Sequence, residues 1–276
     1  MTIPEIKTFQ DCLVIANETG GKKLSEDKKH LMLGNGFSVE LFPHIFNYKQ
    51  LSERIKSPRI KKLFKSMKTP DFEFVMFKLT EALKVIELYP DSIKLYDEIN
   101  KDLNELKETL IQVIQESYPE NPTAISEEEY LSCRYFLSHF NTGNKYTFNY
   151  DLLLYWVYMH FLDDNEKKLK CDDGFRRPGD NQSIVTWEIG QEHRQNITYI
   201  HGAMHIFTNG SNFEKYTWVN SGKTISEQLK ESIDQGIYPI FISEGTKEHK
   251  LSRIQENSYL GRSFSSLKSI GGSLFI

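Results

Sequence analysis

Residues 145–156, KYTFNYDLLLYW, change their hydrophobic period within three positions. Tyr146 and Phe148 alternate with smaller polar residues, as in a strand that meets neighbours on both faces. From Leu152 onward, positions 152, 153, 156, 157 and 161 are apolar at helical spacing, with His160 on the same face. The switch falls at Asn149-Tyr150-Asp151. Polar residues at a strand's carboxyl end, opening a helix, sit where open α/β sheets bind ligands. The same residues also suit a purely local role, with Asp151 capping the helix and Asn149 making the turn.

A chain of 276 residues can form one large domain or a core with an inserted lobe. The net charge of −4 and the lack of any long basic run give nucleic-acid binding no electrostatic support. Cys12, Cys133 and Cys171 are isolated and odd in number, which argues against a disulfide framework. There is no CxxC pair to hold structural zinc. These cysteines suit a reducing cytoplasm. The start, MTIPEIKTFQDCL, lacks the plan of a signal peptide, and no apolar run is long enough to span a bilayer. A cytoplasmic protein with no membrane partner is expected.

In chain order, a short helix over residues 9–16 precedes a Gly- and Lys-rich loop. Leu31, Met32 and Leu33 then form a buried-strand candidate that stops at Gly34-Asn35-Gly36, with Ser38 placed to cap the following turn. Glycines at such a turn let the backbone approach a diphosphate closely, although a tight turn without ligand gives the same pattern. Val39 stands where a dinucleotide fingerprint carries its third glycine. Residues 51–140 change character: a Ser-, Pro- and Lys-rich stretch is followed by three helical patterns. These run over 72–88, over an a/d stripe of Tyr96, Ile99, Leu103, Leu106, Leu110 and Val113, and from the Ser126/Glu129 capping box through Tyr130, Cys133, Leu137 and Phe140. This block reads as a helical insertion that covers a cleft or mediates association.

Beyond the central stretch, Asp172-Asp173 lie in a polar loop over 163–180 and suit a turn better than a cation site. Strand candidates follow at 184–187 and 197–200, the second running into His201-Gly202-Ala203-Met204-His205. The histidines have the i, i+4 spacing of a metal-binding helix, but Gly202 stands where a zinc protease has glutamate and argues against a regular helix. A helix over 225–233, a strand over 238–242, the turn Ser243-Glu244-Gly245-Thr246 and a further helix lead to the final GGSLFI. A parallel strand in that place is normally covered by a following loop and helix, so continuation of the chain or completion by another chain is expected.

Three of these stretches resemble, in the same order, the sirtuin-like family of NAD-binding and NAD-hydrolysing proteins. Gly34-Asn35-Gly36-Phe37-Ser38 is similar to its first glycine-rich turn. Thr147-Phe148-Asn149-Tyr150-Asp151 is similar to its Thr-Gln-Asn-Ile-Asp stretch, and His201-Gly202 to its catalytic His-Gly pair. The whole chain resembles a bacterial branch of that family that lacks the zinc module and carries helices between the first two motifs. The resemblance implies a doubly wound, Rossmann-like parallel sheet over residues 1–50 and 141–276, with 51–140 as the inserted helical lobe. It places Gly34, Asn35, Gly36, Phe37 and Ser38 near the diphosphate and ribose of NAD, with Asn149, Asp151 and Gly202 by the nicotinamide ribose and carboxamide. His201 would be the acid or base on the ribose hydroxyls, and Asn149 would position a water.

The four cysteines of the deacylases' zinc module are missing, so protein deacylation is not expected. The late glycine–serine turn that holds the adenosine ribose is also not found before Ile276. The resemblance implies an NAD hydrolase, of the kind that serves as an anti-phage defence effector, acting with further copies of itself or with a defence partner protein. The alternative is a module that binds NAD or ADP-ribose without turning it over.

Overall fold

The computed structural model describes residues 7–19, 28–42, 55, 57–69, 72–117, 119, 121–162, 164, 166, 169–176, 184–190, 192–209, 212–217, 223–242 and 247–276. In chain order the elements are α1 (Phe9–Thr19), β1 (Lys29–Leu33), α2 (Asn35–Leu41), α3 (Pro58–Met67), α4 (Phe72–Ile86), α5 (Ile93–Ser117) and α6 (Glu127–Ser138). Then come β2 (Lys145–Thr147), α7 (Leu153–His160), β3 (Phe175–Arg176), β4 (Ile184–Trp187), β5 (Ile197–Tyr199), β6 (Gly202–Asn209) and β7 (Asn212–Tyr216). The chain finishes with α8 (Ile225–Asp234), β8 (Pro239–Phe241), α9 (Lys247–Glu256), α10 (Ser258–Lys268) and β9 (Ser273–Phe275). The expected turn over residues 243–246 and the Arg177-Pro178-Gly179-Asp180 part of the polar loop lie outside the described residues.

Four strands form a parallel sheet in the order β5-β2-β1-β9. Leu33 lies opposite Thr147 and Thr147 opposite Tyr199, so β1, β2 and β5 run out side by side. The pairing continues one residue further, through Phe148 N–H to the Leu33 carbonyl (3.0 Å) and Ile200 N–H to the Thr147 carbonyl (2.9 Å). The three strand ends that the sequence predicts on one edge are on one edge. Strand order reverses between β1 and β9, because the chain steps from β1 to β2 and β5 on one side and reaches β9 on the other.

A second sheet, wholly antiparallel, has the order β3-β4-β7-β6-β8. It corrects the sequence reading in two ways. The expected strands at 184–187 and 238–242 form, but here rather than beside the parallel strands. The β6–β7 hairpin was not anticipated, because residues 202–207 are all buried and show no alternation. The two sheets are joined at His201-Gly202. Gly202 has φ +73°, and a Cβ on it would lie 2.0 Å from the Ile240 carbonyl oxygen, so only glycine fits where the chain passes from β5 into β6.

Among the described residues of 51–140 there are helices and no strands. The capping box forms as the sequence predicts, Ser126 Oγ accepting from Glu129 N–H and Glu129 accepting from Ser126 N–H. Leu103, Leu106 and Leu110 of the a/d stripe are buried, with Tyr96 and Ile99 half-buried beside them; the side chain of Val113 lies outside the description. Arg59 on α3 grips Asp102 on α5 with two hydrogen bonds, 2.6 and 2.9 Å. Tyr130 on α6 stacks on His160 of α7 at 3.8 Å, which ties the block to the helix that follows Asn149-Tyr150-Asp151. The buried residues of these helices belong to one continuous core with the strands.

Asp172 and Asp173 make the turn the sequence suggests, accepting from Gly174 N–H (2.8 Å) and Phe175 N–H (3.1 Å), but Asp173 does more. It is buried, ion-paired with Lys215 on β7, and accepts a 2.5 Å hydrogen bond from the Tyr158 hydroxyl on α7. Burial pushes its pKa up, and the Lys215 charge with three hydrogen bonds more than offsets this, so it stays ionised. Removing one member leaves an uncompensated buried charge, which costs about 3–5 kcal/mol. Lys215→Met should therefore be strongly destabilised in urea unfolding, and adding Asp173→Leu should restore most of the loss. Additive losses in the double variant would show that the pair is not one buried unit.

Candidate functional site

Three turns meet at the carboxyl edge of the parallel sheet. β1 leads through Gly34 into α2, β2 leads through residues 148–152 into α7, and β5 leads through Ile200-His201 into β6. Asn149 Nδ2 donates to the Gly34 carbonyl (2.9 Å) and to Ser38 Oγ (2.8 Å), and Ser38 Oγ donates to an Asp151 carboxylate oxygen. The other Asp151 oxygen accepts from Leu153 N–H (3.0 Å) at the start of α7. A carbonyl accepts only, so the Asn149 amide nitrogen must face Gly34. Its Oδ1 takes no partner among the described residues.

Ser38 lies inside α2 rather than capping a turn after it, and is fully buried. Asp151 is buried as well, but the cap position of α7 is Leu152, so Asp151 is not the cap expected: it closes a turn on Leu153 N–H two residues on and takes the bond from Ser38. Both sit beneath the surface and hold the turn. Gly34, Asn35 and Gly36 are exposed and His201 is half-buried, while Asn149 keeps 8 % of its surface accessible. Phe37 is partly buried against the core, and its N–H closes the turn on the Gly34 carbonyl (3.1 Å).

His201 is half-buried with its ring 4.8 Å from that of Phe148, and makes no side-chain hydrogen bond among the described residues. Burial, with the nearby charge of Lys250 on α9, lowers its pKa to about 4, so the imidazole is neutral at pH 7. Its carbonyl accepts from Ile242 N–H (2.8 Å), and Met204 N–H reaches the Tyr150 carbonyl (3.0 Å). The second sheet thus pins both polar turns. Lys250 carries no motif in the sequence; it is brought in because Ile242, at the end of β8, lies against His201.

His205 does not join His201. In a strand, four residues span roughly 13 Å. His205 packs instead in the core between Tyr155 (4.9 Å) and Tyr199 (5.4 Å), and burial lowers its pKa to about 3. Among the described residues there is no group of three or more His, Cys, Asp or Glu placed to hold a metal. No described helix is long and apolar enough to cross a membrane.

Gly34 has φ −115° and Gly36 lies in α2, so neither needs a glycine backbone, and a Cβ on either would meet nothing within 4 Å. These glycines keep a surface open that no described part of the protein fills. On the β9 side of the turn, a cavity of about 850 Å³ runs along β1 and β9, lined also by Phe9, Cys12 and Phe136. Asn149 and His201 lie on the β2 and β5 side. The glycine turn is therefore the bridge between a largely apolar cleft and a polar strand edge.

The chain belongs to the family described as "Domain of unknown function (DUF4917)", whose model matches residues 31–276. This span begins in β1 and includes the helices of 51–140. No curated protein matches the chain.

Burial raises the pKa of Asp151 to about 6 against the pull of Ser38 and Leu153. Below the ordinary carboxylate pKa, folded and unfolded chains both hold the proton. As pH rises toward 6 the unfolded chain releases it first, so this residue's contribution to stability falls through that window. Asp151→Asn removes the effect, and relative to wild type it should gain stability between pH 4 and pH 7, by about 2 kcal/mol. His201 and His205, with lowered pKa values, act in the opposite direction in both proteins. Urea unfolding curves at the two pH values measure the difference; an unchanged gap would contradict the assignment.

Proposed function

We propose that this chain hydrolyses NAD at the nicotinamide–ribose bond, using the carboxyl edge of its parallel sheet. The observation that carries the reading is the open space over Gly34 and Gly36, where neither backbone conformation nor packing calls for glycine. Glycines placed so let the backbone come close to a diphosphate. Ligands of open α/β sheets bind at the point where strand order reverses, here between β1 and β9. An extended dinucleotide crossing at Gly34-Asn35-Gly36 puts its adenosine half over the apolar cleft by β9. Its nicotinamide half then lies over Asn149 and His201.

Cleaving this bond builds positive charge on the ribose, as in glycoside hydrolysis. A neutral His201 accepts a hydrogen bond from a ribose hydroxyl. The Asn149 oxygen, held by the fixed orientation of its amide, accepts one from the attacking water. Ser38 and Asp151 act through Asn149 and need not touch the dinucleotide. The proposal treats the parallel sheet as a doubly wound nucleotide-binding core into which residues 51–140 are inserted. The sirtuin-like resemblance extends it to a cytoplasmic effector of bacterial defence, acting with further copies of the chain or with a partner protein. The reaction calls for no zinc.

One observation favours the alternative, a module that binds NAD or ADP-ribose without turnover. A histidine with a pKa of about 4 is a weak base at neutral pH, whereas general bases work best near the operating pH. An anionic ligand that neutralises Lys250 would raise that pKa, so the hydrolase reading requires the shift on binding.

Release of free nicotinamide from NAD is the test. His201→Ala should lower it by roughly 10²- to 10⁴-fold while the thermal midpoint stays near wild type, and Asn149→Ala should lower it as far and lower the midpoint too, because it removes the bonds to Gly34 and Ser38. NMR titration of the His201 ring should show a higher pKa with ADP-ribose bound than without. Binding with no nicotinamide release and no such shift would establish the module instead.

A further inference from the structure

The helical block leaves one part of its surface uncovered. α4 and α5 pack against each other, and Val75, Met76, Leu79 and Leu83 of α4 are buried with Leu103, Leu106 and Leu110 of α5. Between the two helices the chain reverses through a single 3₁₀ turn at Pro90–Ser92. Apolar residues do not stop where this core stops. Beyond Leu83 and before Tyr96 come Val85, Leu88, Tyr89, Ile93 and Leu95, which are between 49 % and 78 % exposed.

The tip of a helical hairpin is ordinarily polar, and apolar residues scattered singly over a surface need no explanation. Gathered around one turn, they make a patch. On the order of 500 Å² of apolar surface is exposed there, close to the apolar share of the roughly 800 Å² that each partner of a standard interface buries. Glu87, Asp91 and Lys94 border the patch, all exposed and none with a side-chain partner among the described residues. Lys84 is already held by Glu81 (2.9 Å). Two free acids to one free base disfavour an anionic partner such as a membrane surface or a nucleic acid. A second copy of the chain answers both signs. Turned about a two-fold axis, it lays the same apolar patch on this one and brings Lys94 of each copy to the acids of the other.

We propose that two copies of this chain associate through the tip between α4 and α5, with the apolar patch at the centre and Lys94 of each copy facing Glu87 and Asp91 of the other. The tip carries no residue of the candidate site, so the assignment is independent of the reaction proposed at the sheet edge.

Sedimentation velocity over a concentration series of about 1–100 µM tests it, since interfaces of this size bind in the micromolar range or tighter. Wild type should pass from monomer to dimer across the series, or be dimeric throughout. Leu88→Asp should raise the dissociation constant by roughly 30-fold or more, while circular dichroism shows the same fold, because Leu88 is exposed. Lys94→Glu and the double variant Glu87→Lys/Asp91→Lys should each weaken association roughly tenfold through facing like charges. Mixed in equal amounts, these two variants should pair with each other at near wild-type affinity, because every facing pair is again of opposite sign. A wild type that stays monomeric to the highest concentration overturns the proposal, and so does a dimer that Leu88→Asp leaves as tight as before. Monomeric wild type that co-sediments with phosphatidylglycerol vesicles would make the tip a membrane contact instead. A mixture no tighter than either variant alone overturns the two-fold charge pairing.

Discussion

The interlock of Asn149, Ser38, Asp151 and Gly34 holds the carboxyl edge together. It joins two turns more than a hundred residues apart in sequence, with the helices of 51–140 between them. Each partner has a chemical reason to be what it is. An amide can donate to both Gly34 and Ser38 while keeping an oxygen as acceptor, and the buried Asp151 carboxylate can accept from Ser38 with one oxygen and from Leu153 N–H, at the start of α7, with the other. Because Ser38 and Asp151 are sealed, their bonds are not lost to water, and the orientation of Asn149 is set before any ligand arrives.

The second sheet completes the arrangement from the other side. Gly202 turns the chain out of β5, β6 returns a hydrogen bond to Tyr150, and β8 holds the His201 carbonyl. The buried Asp173–Lys215 pair fastens the loop before β3 to β7 and, through Tyr158, to α7. The surface groups of the site are thereby mounted on two sheets and a helix, and His201 is kept neutral by burial and by Lys250.

The parts legible in the sequence were those with a local signature. The change of period at Asn149-Tyr150-Asp151, the Ser126/Glu129 box and the Leu103-Leu106-Leu110 stripe each follow from the spacing of one element, and each appears as read. Strands buried on both faces carry no such spacing, so β6 passed unnoticed and β8 was assigned to the wrong neighbours. The ion pair of Asp173 and Lys215 spans 42 positions, and a lone aspartate in a loop looks the same whether solvated or buried. Lys250 is one lysine among many until the fold brings it to His201. The candidate site itself was visible as three short polar turns, each at the end of a strand. What the sequence could not separate was which of their residues support and which remain at the surface.

The central claim is that Gly34 and Gly36 keep a ligand surface open rather than serve the fold. Calorimetric titration of ADP-ribose into wild type and Gly36→Ala, with the thermal midpoint of each, tests it most directly. Alanine in α2 should raise stability by about 0.5–1 kcal/mol, because it removes the entropic cost of glycine in a helix. The same methyl group should weaken ADP-ribose binding by about tenfold or more, since it stands where the diphosphate must approach. Stability gained and binding lost together is the result the account predicts. A variant that binds as tightly as wild type, or a wild type that does not bind ADP-ribose at all, would contradict it.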